Sequence, residues 1–290
     1  MVGFNAGGGA DVMARILADR LSERLGQPVV VQNRPGAAGT IAGSITATAP
    51  PDGYTLWLAT QGALSVAPFL QSPRPYDPAA DFAPISMLFT APLQLYVKDA
   101  FPAKTFKEFV ALLKENPDKY FYATAGVGGP GHMFAELLMR ETGTKMVHVP
   151  FPGDSQAAAS ILGDVVQIWS TATAAATPFT AEGKVRALVT SGDERASQLP
   201  DVPTAKESGY PSVIAYYFNA LLAPKGTPPE IVDRLNKAVS EIYNDGKTKD
   251  QIVKSLGVMP INSTPAETAK TIQDDIAKWR DVVDQTIKQK

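Results

Sequence analysis

A glycine-rich segment near the start of the sequence has the composition of an anion-binding turn. It has the sequence Asn-Ala-Gly-Gly-Gly-Ala-Asp at 5–11, and lies between an apolar stretch, which predicts the end of a strand, and a segment of helical periodicity. Backbone N–H groups in such a turn, together with the positive end of the helix dipole, favour an anion. The segment therefore predicts contact with a carboxylate or phosphate, although the same glycines also suit a tight turn without a ligand.

A second glycine-rich segment, Ala123 to His132, occupies the same place in a later strand and helix. Its glycines partly match a dinucleotide-binding fingerprint. However, no acidic residue ends a strand about 20 positions further on, and no Gly-Lys-Ser/Thr ending follows. We therefore expect no nucleotide and no other cofactor. Two anion-binding loops at the carboxyl ends of strands in two lobes instead predict one cleft between those lobes.

Side chains with catalytic potential are few. His132 could be a general base, but no partnered nucleophile is evident, so we favour hydrogen bonding at a helix terminus. Gly153, Asp154 and Ser155 match the Gly-Asp-Ser of a lipase class whose histidine follows the motif, whereas both histidines here precede Ser155. We interpret Asp154 and Ser155 as helix-capping residues that also line the cleft. The alternative is an α/β enzyme acting on a carboxylated substrate through His132 with Asp154 or Ser155.

The composition argues against several other functions. The 290 residues suffice for about two domains with real cores, and 27 Lys and Arg against 29 Asp and Glu provide no basic field for nucleic acid. The chain has no cysteine, and its two histidines lack metal-ligand spacing, so we expect no disulfide and no metal site. No apolar run reaches the roughly 18 residues of a membrane helix, and no signal peptide precedes the first strand, so we expect a soluble chain.

Apolar runs alternate with helical patterns over about the first ninety residues, which predicts βαβ units and a parallel sheet. A strand ending at Val2–Phe4 is followed by a helix that Asp11 opens and Gly26 closes. The remaining predicted elements of this part are strands at 29–31, 54–59, 82–89 and 93–97, a helix after residue 36, and a helix at 105–115 capped by Thr105.

A second series repeats the order of strand, glycine turn and helix. It has strands at 120–124, 146–149, 165–169 and 185–190, and helices at about 131–140 and 155–162. A strand at 215–223 and helices at 229–243, 248–256 and 264 to about 287 complete the chain. We expect these helices to pack back on the first lobe, which gives lobe 1 as residues 1–97 and 218–290 and lobe 2 as residues 98–217.

Large aromatic and charged residues have conventional interpretations. Trp57 and Trp169 lie in predicted strands, so we expect both to pack in the core. The last helix carries charged residues that are typical of a solvated face, namely Lys270, Asp274, Asp275, Lys278 and Arg280.

Several motifs occur in order along nearly the whole chain. They include Gly-Gly-Gly-x-Asp-x-x-Ala-Arg at 7–15, Asn-Arg-Pro-Gly-Ala at 33–37, Pro-Asp-Gly-Tyr-Thr at 51–55, Val-His-Val-Pro at 147–150 and Leu-Pro-Asp-Val-Pro-Thr at 199–204. Together they resemble the Bug-type (TctC-like) substrate-binding proteins of tripartite tricarboxylate transporters. The resemblance implies an α/β, two-lobed Venus-flytrap fold of the type II periplasmic binding class, and a protein that is not an enzyme.

The family resemblance also implies how a ligand is held. One carboxylate would be bound by backbone groups and ordered waters from loops 4–8 and 151–156, one in each lobe. Carried over position by position, the ligand-binding residues are Phe4, Asn5, Ala6, Gly7, Gly8, Thr60, Gln61, Thr124, Ala125, Gly128, His132, Phe151, Gly153, Asp154, Ser155, Ser170 and Thr171.

The implied function is capture of a dicarboxylate or aromatic carboxylate in the periplasm and its delivery to membrane permease subunits, by a protein that we expect to be a monomer. A signalling sensor of the same fold is a further possibility. Relatives often have Asp-Asn where this chain has Ser170 and Thr171. The missing carboxylate would be the partner of an ammonium group, so its absence argues against an amino-acid ligand. The short first strand also predicts that a signal peptide and some strand residues precede this sequence.

Overall fold

The computed structural model describes residues 1–284, whose contacts divide the chain into two compact units. Unit 1 comprises Met1–Thr90 and Phe218–Lys290, and unit 2 comprises Ala91–Tyr217. The sequence predicts a boundary between residues 97 and 98, a position that falls inside one long strand. Ile287, the predicted end of the last helix, lies outside the described residues.

Unit 1 is built on strands that bring distant parts of the sequence together. Strand β1 (Trp57–Thr60) pairs antiparallel with β7 (Tyr216–Pro224), and β7 lies next to β2 (Phe82–Lys98) in the strand order. The helices of this unit are α1 (Gly9–Leu25), α2 (Thr40–Ala47), α3 (Gln61–Ser65), α8 (Pro229–Asn244), α9 (Gly246–Leu256) and α10 (Pro265–Val282).

The core of unit 1 surrounds Trp57, which is 1% exposed. Its ring centroid lies 5.6 Å from that of Tyr76 and 5.0 Å from that of Phe82. Ile272 of α10 belongs to the same buried cluster, so the last helix packs against the first strand of the unit. Burial of these large rings contributes to the stability of unit 1.

Unit 2 has a sheet whose parallel strands end at one edge. Strand β3 (Phe121–Thr124) pairs parallel with β4 (Val147–Pro150) and with β5 (Ile168–Ala172), and β5 continues antiparallel onto β2. Strand β6 (Val185–Thr190) lies on the other side of β2. The helices are α4 (Phe106–Glu115), α5 (Pro130–Thr142), α6 (Asp154–Leu162) and α7 (Thr173–Ala181). The loops after β3, β4 and β5 therefore leave the sheet at the same edge.

Most predicted elements are present, with differences at their ends. Strand β6 and helix α4 have the predicted bounds, including the Thr105 cap of α4. Trp169 is fully buried, which confirms its predicted place in the core, as for Trp57. Helix α1 begins at Gly9 rather than Asp11, and β5 lies about three residues later than predicted. Short α3 and α7 were not predicted; Pro178 inside α7 obscures its helical pattern.

Two strand predictions were wrong. The predicted strands at 82–89 and 93–97 are one continuous strand, β2, because the chain passes through Pro92 without leaving the extended conformation. The predicted strand at 29–31 is not a strand. Residues 29–31 form no β-bridge; the neighbouring Asn33 forms a single parallel bridge with Val2, and one bridge does not make a ladder. Within the same residues, no helix combines the length and apolar character needed to cross a membrane.

Candidate ligand-binding loops

The glycine loop of unit 1 is exposed, and the carboxylate of Asp11 fixes its backbone by accepting hydrogen bonds. Residues Phe4 to Gly8 are all exposed, and Gly8 is the N-cap of α1 without a side-chain cap. Asp11, which is 2% exposed, accepts the N–H of Gly7 at 2.9 Å and the side-chain amide of Asn33 at 2.9 Å. The same amide of Asn33 also donates to the carbonyl oxygen of Phe4 at 3.0 Å. Both ends of the loop are thus tied to Asp11.

A cation keeps Asp11 ionised. Arg15 Nε and Nη2 donate to the two carboxylate oxygens at 2.9 and 3.0 Å, one helical turn along α1. These bonds lower the pKa of Asp11 to about 2, helped by the N–H of Gly7 and the amide of Asn33 and opposed by burial. Asp11 therefore remains an acceptor over the whole physiological pH range.

Close backbone packing sets the path into this loop. A Cβ at Gly3 would lie 2.6 Å from the Cα of Gly39, so only glycine fits there. Gly39 has φ +92°, and a Cβ on it would approach the ring of Phe4 to 3.2 Å. The Phe4 ring, 37% exposed, is therefore seated against the turn before α2.

Thr60 and Gln61 lie where β1 passes into α3, and their side chains have different surroundings. Thr60 is half-buried at the N-cap of α3. Gln61 is 1% exposed, and its Nε2 donates to Asp275 Oδ2 of α10 at 3.0 Å. The amide of Gln61 therefore supports the loop from inside unit 1, and only its backbone stays a predicted ligand contact.

Asp275 departs from the predicted solvated face of the last helix. It accepts from Gln61 and from Trp279 Nε1, the latter at 2.7 Å. Burial raises its pKa to about 6, against the lowering effect of hydrogen bonds from Ser65 and Gln61 and the charge of Lys278. The prediction of a solvated surface was wrong for Asp275, because its side chain accepts a hydrogen bond from Gln61 of α3. Lys270 and Asp274 do form an exposed pair on the same helix.

In unit 2, the loop after β3 is fixed by neutral side chains. Thr124 Oγ1 donates to the carbonyl oxygen of Gly126 at 3.1 Å, and the N–H of Gly128 donates to His132 Nδ1 at 3.0 Å. Gly126 and Gly128 have φ of +125° and +72°, values that favour glycine. Ala125 is exposed at the turn. The predicted role of His132 in hydrogen bonding at a helix terminus is confirmed.

The loop after β4 lies beside the loop after β3. The N–H of Phe151 donates to the carbonyl oxygen of Thr124 at 3.0 Å. Gly153 is the N-cap of α6, and neither Asp154 nor Ser155 caps the helix, so the capping prediction was wrong. The side chain of Asp154 is instead held by Thr171, whose Oγ1 donates to its Oδ1 at 2.7 Å. Ser155 is exposed.

Ser170 and Thr171 belong to the interior of unit 2. Ser170 is 1% exposed, and its Oγ donates to the carbonyl oxygen of Gly131 at 2.7 Å. A Cβ at Gly131 would lie 2.2 Å from the carbonyl oxygen of Ser170, so α5 packs directly on the backbone of β5. Thr171, 4% exposed, serves Asp154. Whether either position contacts a ligand stays a prediction.

The structure thus places most of the predicted site residues in loops beside helix N-termini, whereas the side chains of Gln61, Ser170 and Thr171 lie inside the units. Sequence reasoning assigned no loop contact to three residues that hold the loop of unit 1, namely Asp11, Arg15 and Asn33. The spacing of Asp11 and Arg15, four residues apart on a helix, was the available signal for an ion pair. Among residues 1–284, no group of three or more acidic or histidine side chains has the arrangement of a metal site.

Sequence and structure comparisons agree on the family. The family model described as "Tripartite tricarboxylate transporter family receptor" matches residues 13–287. The chain belongs to this family. Its fold is the α/β, type II periplasmic binding protein fold that the sequence predicts, as close structural matches show. Members are solute-binding components of transporters, so the predicted binding protein is confirmed over the enzyme alternative.

Individual relatives cover almost the whole chain. "Protein BugT" of Bordetella pertussis is 36% identical over 99% of this chain and 88% of its own length. The structure of MatC from Rhodopseudomonas palustris with bound malate is 34% identical, covers 97% of each chain and has a TM-score of 0.82. The R. palustris protein Rpa4515 with adipate is 30% identical, covers 98% of this chain and 94% of its own, and has a TM-score of 0.84.

Proposed function

We propose that this receptor captures a small dicarboxylate or aromatic carboxylate in the periplasm and delivers it to the membrane permease subunits of a tripartite transporter. The glycine loops of unit 1 and of unit 2 are the candidate carboxylate-binding segments. Relatives of similar sequence that carry malate and adipate support a dicarboxylate ligand. The family's description as a transporter receptor supports the permease partner and the periplasmic location.

The observation that carries the proposal is the chemistry of the loops. In unit 1, residues 4–8 are exposed and precede the N-terminus of α1. In unit 2, residues 124–128 and 151–155 precede or begin α5 and α6. Backbone N–H groups and helix dipoles at such positions suit an anion. None of these three loop segments contains Lys or Arg, so backbone groups and bridging waters would bind the carboxylates.

The acidic side chain of the unit 2 loops is poorly suited to an ammonium group. Burial raises the pKa of Asp154, and the hydrogen bond from Thr171 opposes that effect. The carboxyl group is therefore easier to neutralise than an exposed one, and one of its oxygens already accepts from Thr171. An α-amino group brought to these loops would lose water without gaining a strong partner.

Competitive calorimetry with succinate, malate, adipate, terephthalate, aspartate and glutamate tests the ligand class. We expect the carboxylates without an amino group to bind at least ~10-fold more tightly than the corresponding amino acids, a difference of about 1.4 kcal/mol. Succinamide, which lacks both carboxylates, is the matched control and should not bind. If aspartate or glutamate bound most tightly of all these compounds, the proposed ligand class of carboxylates without an amino group would be wrong.

Uptake of a labelled ligand tests delivery. Cells that lack this receptor but keep the permease genes should lose uptake of the tightest carboxylate and regain it when the receptor gene is restored. Unchanged uptake, with loss of a transcriptional response to the same carboxylate, would identify a sensor instead.

A further inference from the structure

The two histidines of this chain stack on each other beneath the glycine loop of unit 2. The ring centroids of His132 and His148 are 4.0 Å apart with an interplanar angle of 12°, and Tyr122 stacks on His148 at 4.8 Å. Parallel β3 and β4 create this stack, because Tyr122 is in register with His148 and α5 covers the same face. His132 is 5% exposed.

The hydrogen bonds of His132 assign its protonation state. Nδ1 accepts the N–H of Gly128 at 3.0 Å, so this nitrogen carries no proton. The proton of the neutral ring is therefore on Nε2, which lies 3.5 Å from Oε1 of Glu136. Glu136 is 3% exposed, and its Oε1 also accepts from the hydroxyl of Tyr122 at 3.1 Å. Glu136 thus favours the one tautomer in which His132 can accept from the loop.

His148 differs from His132 in the kind of bond it makes. Its Nε2 lies 2.7 Å from Oγ1 of Thr124, a hydroxyl that can donate or accept. A proton gained by His148 leaves this contact possible, because the hydroxyl can accept. A proton gained by His132 does not leave the Gly128 contact possible, because a backbone N–H can only donate.

We propose that Glu136 and His132 are positioning residues that hold the Gly128 loop in its ligand-binding shape, and that protonation of His132 releases the loop and weakens carboxylate binding. The proposal rests on the proposed function. It assigns a pH dependence to unit 2 that arises from one backbone hydrogen bond rather than from the ligand.

Three titratable groups face His132 from the elements packed around it. Glu136 faces it from α5, Tyr122 from β3 and His148 from β4. Strand β5, which α5 also contacts, has the neutral sequence Ile-Trp-Ser-Thr-Ala. Burial and the charge of Glu136 raise the pKa of Tyr122, so it remains a neutral donor.

The His132→Asn variant separates the acceptor from its titration, since the Asn side-chain oxygen can replace Nδ1 as acceptor but does not gain a proton. Binding of malate and adipate would be measured by calorimetry at about pH 7.5 and about pH 5.5, the range over which histidine titrates. We expect wild-type affinity to fall ~10-fold more than that of His132→Asn, since titration of the ligand affects both proteins equally. Equal pH dependence in the two proteins would overturn the proposal.

Two further variants distinguish a positioning role from a merely structural one. His148→Gln is the matched control: it removes the other histidine, and the steep pH dependence of affinity should remain. Glu136→Gln keeps an acceptor near His132 and Tyr122 but removes the negative charge, so the midpoint of the affinity profile should move to lower pH. A midpoint that stays in place in Glu136→Gln, or a flat profile in His148→Gln, would contradict the assignment.

Nitrogen-15 NMR of the ligand-free wild-type protein tests the proposal without any variant. With only two histidines, each ring can be assigned. We expect His132 at about pH 7.5 to carry its proton on Nε2. We also expect the protection of the Gly128 amide against hydrogen exchange, relative to the intrinsic rate at each pH, to fall as His132 gains a proton. A proton on Nδ1 would overturn the device. If no carboxylate binds at any pH, the proposed function fails, whereas this measurement still decides the role of His132.

Discussion

The glycine loops of the two units each donate a backbone N–H to a side-chain acceptor, but the acceptor is charged in unit 1 and neutral in unit 2. In unit 1, an ionised carboxylate, Asp11, accepts from Gly7 and is neutralised by Arg15. In unit 2, an imidazole, His132, accepts from Gly128 and must remain neutral to do so. An ionised carboxylate with a low pKa accepts a hydrogen bond over a wide pH range, whereas an imidazole nitrogen accepts one only while it is unprotonated.

The comparison extends to a second carboxylate within unit 1. Asp11 and Asp275 are both buried acceptors behind predicted loop residues. The guanidinium of Arg15 lowers the pKa of Asp11 to about 2, whereas burial raises that of Asp275 to about 6. The hydrogen bonds from Arg15 are the largest influence on the pKa of Asp11, and burial is the largest influence on that of Asp275, so the partner cation and the depth of burial together decide whether a supporting carboxylate stays charged.

Removing the charged anchor should have the largest effect. Asp11→Ala leaves the Gly7 N–H, the Asn33 amide and the Arg15 guanidinium without their shared acceptor, and we expect a loss of about 3 kcal/mol of unfolding free energy from the lost hydrogen bonds to a charged group. Urea denaturation measures this loss. Calorimetry with adipate should show weaker binding as well, because the unit 1 loop loses its fixed shape.

Asp19→Ala is the matched control for Asp11→Ala, since Asp19 is an exposed acidic residue on the same helix. Its effect should stay within about 0.5 kcal/mol. In the wild-type protein, the lowered pKa of Asp11 also contributes stability that is present above about pH 4 and lost as the pH falls through about 2. An Asp11→Ala protein as stable as Asp19→Ala would show that the charged anchor is unimportant.

Asp275→Asn should reveal the opposite pH signature. The folded-state pKa of Asp275 is raised from 3.8 to about 6, so its contribution is most favourable below about pH 4 and is lost as the pH rises through 6. We expect wild type to lose about 2 kcal/mol relative to Asp275→Asn between pH 4 and pH 7, because a shift of about two units corresponds to nearly 3 kcal/mol and part of it is already lost by pH 4. Urea denaturation at several pH values measures the difference.

Asp274→Asn controls for the loss of one negative charge on α10. Asp274 is exposed and pairs with Lys270, so its replacement should leave the pH dependence of stability unchanged between pH 4 and pH 7. Parallel curves of stability against pH for wild type and Asp275→Asn would contradict the raised pKa of Asp275.

Features that depend on neighbouring residues could be predicted from the sequence, and those that depend on distant ones could not. The glycine loops and the Thr105 cap follow from local turn and capping preferences. The bond between Gln61 and Asp275 joins residues 214 positions apart, and helical periodicity alone placed Asp275 among solvated charges. The sequence likewise placed Ser170 among the ligand contacts and gave no indication that α5 packs on its backbone. The family resemblance implied the fold and the ligand-binding positions, but it did not imply these contacts.

The smallest predicted effect compares matching helix caps in the two units. Thr105 of unit 2 and Thr264 of unit 1 each accept the N3 backbone N–H at 3.2 Å, from Glu108 and Glu267 respectively. Each Thr→Ala change should therefore lower the unfolding free energy by about 1 kcal/mol, whereas Thr→Ser controls, which keep the hydroxyl, should be nearly neutral. The chain crosses between the units twice, within β2 and β7, and we expect this continuity to couple their unfolding. Both Ala variants should then shift one common urea transition by similar amounts, measured by circular dichroism and tryptophan fluorescence. Separate transitions, with Thr105→Ala moving one and Thr264→Ala the other, would show instead that the units unfold independently.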